Sequence, residues 1–400
     1  MFNRFLAALA MFFAVTIVSN ARVMLGIDVL EANHFDLLQD KRVGLITNQT
    51  GVDSQGVKTR KILRDARGVK LVALFTPEHG LDGTEKAGKY VASRMDRLTG
   101  VTAFSLYGPT RKPTPAMLRG IDVLVYDMQD IGSRSYTYIS TMGRCMQAAA
   151  EAGIPFVVLD RPNPLGGNRV EGPGMESQWI SFVGQFPVPY LHGLTVGELA
   201  QMSNSRGWMG PKCKLTVVKM RGWDRSMTWR DTGLRWVQTS PNVPRGASPF
   251  YYALTGLIGE LSPCELGINT NEPFEVLGSE WIDARRFTNH LSELDTPGVA
   301  FTPVTNFKGA NGVRIRIDPS TGTNLCALSM NMLAYMNRTA PGRDMFQRTN
   351  SDAMDIFYKC CGSRSIREQI QSGVSPAKIA ASWGPNLKRF RAERLRYLLY

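Results

Sequence analysis

An open α/β sheet of parallel strands, followed by a smaller α+β unit, is the fold class that three observations in the sequence predict. Four short runs rich in Val, Leu and Ile occur before Asp160, and each gives way to polar residues and then to a helical stretch. Near-continuous apolar runs of this length are strands buried on both faces, as in a parallel sheet. The strand–helix alternation puts helices against both sides of that sheet. The third observation is size: 400 residues exceed one average core, and the pattern changes to mixed strands and helices after the rigid turn Ser240-Pro241-Asn242-Val243-Pro244. The expected division is a leader over residues 1–21, an N-terminal unit over 22–240 and a C-terminal unit over 241–400.

The chain opens with Arg4 ahead of an apolar run from Phe5 to Val18, and Ser19-Asn20-Ala21 sets small residues where a signal peptidase reads them. An exported protein, periplasmic or secreted, is expected; an uncleaved membrane tether is the alternative. The apolar run is short for a permanent anchor. The four strand runs follow in order. Val43 to Thr47 leads into Asn48-Gln49-Thr50-Gly51, and Val69 to Thr76 into Pro77-Glu78-His79-Gly80. Ile121 to Tyr126 leads into Asp127-Met128-Gln129-Asp130, and Pro155 to Leu159 into Asp160-Arg161-Pro162-Asn163. Helices are expected over Val57 to Ala66 and Tyr138 to Ala152. The Gly- and Pro-rich segment from Gly166 to Pro189 reads as a long surface excursion. Thr195, with Glu198 three residues on, forms a capping-box signature for the next helix. A strand over Leu215 to Met220 and another over Gly312 to Ile317 follow. Ser375-Pro376 starts a helix that Gly384-Pro385 is expected to stop.

Composition narrows the function. The formal net charge is +13, from 47 Lys and Arg against 34 Asp and Glu, which favours anionic partners. An export signal argues against nucleic acid among them. Six cysteines show no CxxC spacing, and buried free thiols are expected for most of them. Four histidines, at 34, 79, 192 and 290, make a poor metal-ligand set, so no metal is expected. Gly83 to Lys89 has the spacing of a phosphate-binding loop, but Tyr90 stands where a magnesium-binding Ser or Thr is needed and no strand directly precedes it. HExxH and GxSxG are absent, which argues against zinc peptidases and common serine hydrolases.

In open α/β sheets the ligand lies beyond the carboxyl ends of the strands. Those ends carry Asn48, Glu78, His79, Asp127, Gln129, Asp130, Asp160, Arg161 and Asn163. Several carboxylates converging on one cleft suit general acid–base work, and glycoside hydrolysis needs two of them. Glu78, between Pro77 and His79 after an apolar strand, is the candidate acid, because partial burial raises a carboxyl pKa. Arg134 and Arg161 are candidates for a substrate carboxylate. The alternative is that Asp127, Asp130, Arg134 and Arg161 form an ion-paired network that only holds the loops.

Several ordered motifs resemble one family. They are Thr76-Pro77-Glu78-His79-Gly80, Tyr107-Gly108-Pro109-Thr110-Arg111-Lys112-Pro113, Tyr126-Asp127-Met128-Gln129-Asp130-Ile131-Gly132-Ser133-Arg134 and Tyr136-Thr137-Tyr138. Asp160-Arg161-Pro162-Asn163-Pro164 with Glu171-Gly172-Pro173, His192-Gly193-Leu194-Thr195, Ser240-Pro241-Asn242 and the closing Arg396-Tyr397-Leu398-Leu399-Tyr400 complete the set. Together they resemble the NamZ-type exo-β-N-acetylmuramidases over nearly the whole chain after the leader. The resemblance implies a Rossmann-like N-terminal domain, a smaller C-terminal domain and an active site in the cleft between them. It implies cofactor-free release of terminal N-acetylmuramic acid from peptidoglycan-derived saccharides or muropeptides. Glu78 is implied as catalytic acid, with Glu260 or Glu275 as its partner. The implied substrate-binding residues are Asn48, His79, Asp127, Gln129, Arg134, Tyr138, Asp160, Arg161, Asn163, His192 and Asn242. Two rivals remain open: a non-catalytic binding protein for peptidoglycan fragments, and an esterase or amidase acting on wall material.

Overall fold

The computed structural model describes residues 22–400. The expected leader, residues 1–21, lies outside the described residues. Seven strands form the main sheet: β1 (Lys41–Thr47), β2 (Val69–Thr76), β3 (Arg94–Met95), β4 (Thr102–Ser105), β5 (Val123–Asp127), β6 (Phe156–Leu159) and β7 (Leu215–Val218). Their spatial order is β3-β4-β2-β1-β5-β6-β7, and every pairing is parallel except β3 with β4. A second sheet of β8 (Val276–Ser279), β9 (Val299–Phe307) and β10 (Ala310–Ile317) is antiparallel in the order β8-β10-β9. The α/β sheet and the smaller α+β unit are therefore those the apolar runs predicted.

The main sheet is covered on both faces. On one, α1 (Gly26–Ala32) and α2 (Thr59–Asp65) pack Leu25, Ile27, Leu30 and Leu63 against Val43, Leu45 and Val125. On the other, α3 (Thr137–Ala152) and α4 (Val196–Arg206) bury Ile139, Met142 and Leu199 against Ile46, Phe75 and Leu124. That second core continues without a break into α5 (Ser248–Gly259), α6 (Ala284–Ser292), α7 (Leu325–Thr339) and α8 (Ser351–Cys361). It ends among α9 (Ser365–Gln371), α10 (Pro376–Ser382) and α11 (Gly384–Arg394). A shared core of this kind fixes a cleft between the two units more firmly than a flexible linker would. No helix among the described residues is long and apolar enough to cross a membrane.

Two expectations fail locally. Gly166 to Pro189 runs over the surface only at its middle, where Glu176, Ser177 and Gln178 are exposed, whereas Val170, Phe186 and Val188 are buried in the main core. Arg134 reaches the carbonyls of Pro173 and Val188 inside that segment, so its backbone polar groups are satisfied without water. Gly384-Pro385 does not simply stop a helix. α10 ends at Ser382, and Pro385 then sits in the first turn of α11, where its missing N–H costs nothing. The Thr195–Glu198 capping box forms as read, with the Glu198 amide donating to Thr195 Oγ1 and the Thr195 amide to Glu198 Oε2.

Candidate active site

The strand order reverses direction between β1 and β5, and the carboxyl ends beside that switch point are where a ligand crevice is expected. What the structure places at the switch point itself is a packed polar lattice. Asp127, at the end of β5, receives the Arg161 guanidinium at 2.5 and 2.9 Å and the Thr59 hydroxyl at 2.5 Å. Asp160 accepts the Thr195 hydroxyl and the Gly197 amide, both at 2.8 Å, and so sits at the N-terminus of α4. A Cβ at Gly197 would lie 2.7 Å from the Asp160 carboxyl carbon, so only glycine permits this approach. Asn48 accepts the Thr50 amide and hydroxyl, Gln129 donates to the carbonyls of Asp130 and Pro162, and Asn163 bonds the backbone of Leu165 and Leu194.

Arg134 is fully buried, and its terminal nitrogens donate to the carbonyls of Pro173, Val188, Cys360 and Cys361 at 2.6–2.9 Å. Burial lowers its pKa to about 10, still protonated at neutral pH. Tyr138 donates to the Thr239 carbonyl. His192 is buried, accepts the Leu194 amide on Nδ1 and is held neutral, its pKa lowered to about 3 by burial and then by Arg394 and Arg134. Glu275 is ion-paired to Arg245 and Arg316. None of these ten expected site residues — Asn48, Asp127, Gln129, Arg134, Tyr138, Asp160, Arg161, Asn163, His192 and Glu275 — lines the cavity described next. Their polar groups hold loops and helix ends in place instead. Arg134 and Arg161 in particular have their guanidinium donors committed inside the protein.

The cavity lies between the two units, with a volume of about 480 Å³, and it brings together Glu78, His79, Asn242 and Glu260. Each acidic side chain is placed by a helix end. Glu78 follows β2 in the turn Pro77–Gly80, which the Gly80 amide closes on the Pro77 carbonyl at 3.1 Å. Its Oε2 accepts the hydroxyl of Thr137, the first residue of α3, at 2.7 Å, and its Oε1 accepts the Gly88 amide at 2.8 Å. These two donors fix the orientation of the carboxyl group at the start of α3. Gly88 belongs to the glycine-bearing loop set aside above as a chance phosphate motif, and here its backbone serves a carboxylate.

Glu260 stands at the opposite kind of terminus. It is the C-cap of the apolar helix α5, whose partial negative charge disfavours a carboxylate. Burial, followed by the charge of Glu78, raises its pKa to about 7. Glu260 thus keeps its proton up to near neutral pH and shares the cavity with a second carboxyl, Glu78, and acid–base cleavage of a glycoside requires two such groups. His79 has φ +68°, a strained left-handed conformation, and its Nδ1–H donates to the Glu85 carbonyl at 2.7 Å, which leaves Nε2 as an acceptor in the neutral ring. Asn242 accepts the Asn269 amide at 3.0 Å.

Four wall residues were not singled out by their own chemistry: Tyr107, Thr137, Tyr252 and Cys360. Tyr107 follows β4 directly, so inspection of that strand end would have found it. Burial and the neighbouring Glu78 hold its phenol above the usual range, as a neutral hydroxyl. Tyr252 and Cys360 lie inside α5 and α8 and carry no local signal. A larger cavity of about 530 Å³ lies elsewhere, but its Glu171 is paired with Arg169 and its Asp231 with Arg230, so it offers no comparable acid–base pair.

A cleft of about 480 Å³ on an α/β sheet, with two glutamate carboxyl groups on its wall, is the site of a glycosidase. Residues 43–247 match the family model described as exo-β-N-acetylmuramidase NamZ, N-terminal, and residues 250–400 match its C-terminal counterpart. The chain belongs to this family. It is 41% identical over 387 residues to the peptidoglycan β-N-acetylmuramidase NamZ of Bacillus subtilis (strain 168), covering 95% of this chain and 92% of that protein. Two crystal structures of DUF1343 family proteins from Bacteroides fragilis NCTC 9343 share the fold. One has a TM-score of 0.88 at 42% identity, covering 95% of this chain and 99% of the other. The second has a TM-score of 0.72 at 28% identity, covering 94% and 99%.

Proposed function

We propose that this protein removes terminal β-linked N-acetylmuramic acid from peptidoglycan fragments, with Glu78 and Glu260 as the working pair. The observation that carries this reading is the opposed setting of the two carboxyl groups: Glu78 at the N-terminus of α3 and Glu260 at the C-terminus of α5, in one cavity. The same setting revises the division of labour expected from the sequence. Glu260, with a pKa raised to about 7, is the better proton donor to the leaving oxygen. Glu78, which accepts hydrogen bonds from the Gly88 amide and the Thr137 hydroxyl, is then the group to face the anomeric carbon or its attacking water. The phenol of Tyr107 and the Nε2 of His79 are positioned to bind sugar hydroxyls.

Export to the wall compartment is part of the proposal, on the strength of the leader sequence, and cell fractionation checks it. The activity is tested by incubating the protein with defined peptidoglycan fragments and identifying the products by mass spectrometry. Free N-acetylmuramic acid released from the non-reducing end supports the reading. Release of a peptide or acyl group instead would point to an amidase or esterase, and tight binding without turnover to a binding protein.

A further inference from the structure

The proposed substrate carries a carboxylate on its lactyl group, and this inference rests on that reading. A carboxylate taken into a half-enclosed cleft needs a cation or a set of donors to offset lost hydration. The two arginines expected for that task are unavailable to it, since Arg134 is bound to four carbonyls and Arg161 to Asp127 and the Val52 carbonyl. The ionisable side chains on the cavity wall are acidic, phenolic, imidazole or thiol; no Lys or Arg is among them.

Arg111 packs on the wall residue Tyr107 without itself lining the cavity. Its guanidinium carbon lies 3.4 Å from the ring centroid of Tyr107, which lines the cavity, and 5.1 Å from that of Phe182, whose neighbour Val183 also lines it. Contact with two aromatic rings restrains the orientation of a planar cation. Nη1 of Arg111 is shielded from water and has no hydrogen-bond acceptor among the described residues. A buried donor without an acceptor is destabilising, so its retention calls for an explanation. Lys86 and Lys89, in the loop that lends Gly88 to Glu78, are exposed and have no comparable hold on their geometry. We infer that Arg111 is the specificity-determining residue that pairs with the lactyl carboxylate, so that the enzyme separates muramic acid from glucosamine by a charge it recognises rather than by shape alone.

The test uses 4-nitrophenyl β-N-acetylmuraminide and its neutral lactyl methyl ester, with wild type, Arg111→Met and Arg111→Lys. Wild type is expected to prefer the acid, mainly through KM. Arg111→Met is expected to raise KM for the acid roughly 10- to 100-fold, as loss of a charge-assisted pair does, and to collapse the preference over the ester. Arg111→Lys keeps the charge and restores part of the preference, which a merely structural role would not produce. Equal losses on acid and ester, or an unaltered preference in both variants, would overturn the inference while leaving the muramidase reading intact. Should Arg111→Met fail to fold, the acid-to-ester ratio of Arg111→Lys decides alone: an unchanged ratio refutes the pairing. Wild type inert toward the muraminide would remove the proposed function and this inference with it.

Discussion

Replacing Arg134 by Met separates a structural from a substrate-binding role for the most buried cation in the protein. The guanidinium donates to four carbonyls, two in the loop from Pro173 to Val188 and two at the C-terminus of α8, and so ties the two units together beside the cavity. Methionine keeps most of the stem's volume but leaves all four carbonyls short of a donor. Each charge-assisted bond contributes about 1.5–3 kcal/mol, and such losses are not additive. Removing one partner of a buried charged network typically costs about 3–5 kcal/mol, and that is the loss expected here. For a chain of this size the melting temperature should fall by roughly 4–6 °C. Calorimetry or thermal unfolding by circular dichroism measures the fall, with steady-state kinetics on the same preparation. A melting temperature within 2 °C of wild type, together with a raised KM, would refute the structural assignment and restore Arg134 as a substrate ligand; the threshold of about 2 °C corresponds to roughly 1.6 kcal/mol.

Other consequences follow from the same geometry. Thr137→Val removes the hydroxyl held 2.7 Å from Glu78 and should lower kcat by about tenfold with little effect on stability; an unchanged kcat would show that Glu78 does not need that donor. With Glu260 raised to about 7, kcat/KM on a saccharide aglycone should decline above that pH as the proton is lost, and Glu260→Gln should abolish this limb along with most of the activity. Asp130 is buried with one unpartnered oxygen, and burial raises its pKa to about 7, so the folded protein keeps a proton that the unfolded chain releases near the ordinary aspartate value of 3.8. Its contribution is therefore full at low pH and fades as pH rises toward about 7, and Asp130→Asn should gain on wild type by on the order of 2–4 kcal/mol between pH 5 and pH 8. Parallel urea midpoints for the two proteins at both pH values would contradict the assignment.

The strands were legible because burial on both faces leaves a continuous apolar run, and those of β1, β2, β5 and β6 stand out against their polar successors. β3 has only two residues, and β4 (Thr102–Ser105) is no shorter than β6 but contains no Val, Leu or Ile, so the strand end that carries Tyr107 was missed. Glu78 and His79 were legible as strand-end polar residues. The same rule over-reached at Asp127, Asp160 and Arg161, since a strand end can bind its own loops as readily as a ligand. Sequence spacing does not reveal which partner wins, because Thr59, Thr195 and Gly197 approach from helices elsewhere in the chain. Glu260 and Glu275 were equal candidates from the motif. Packing separates them: two arginines claim Glu275, whereas Glu260 is left at a helix C-terminus facing the cavity.

Hydrolysis of 4-nitrophenyl β-N-acetylmuraminide, beside the matching N-acetylglucosaminide, is the most direct test of the paired-carboxyl muramidase. Wild type should release nitrophenolate from the muraminide alone. Glu78→Gln should abolish release, while Glu260→Gln should retain part of it, because nitrophenolate leaves without a proton. No release by folded wild type, or full activity in Glu78→Gln, would contradict the assignment.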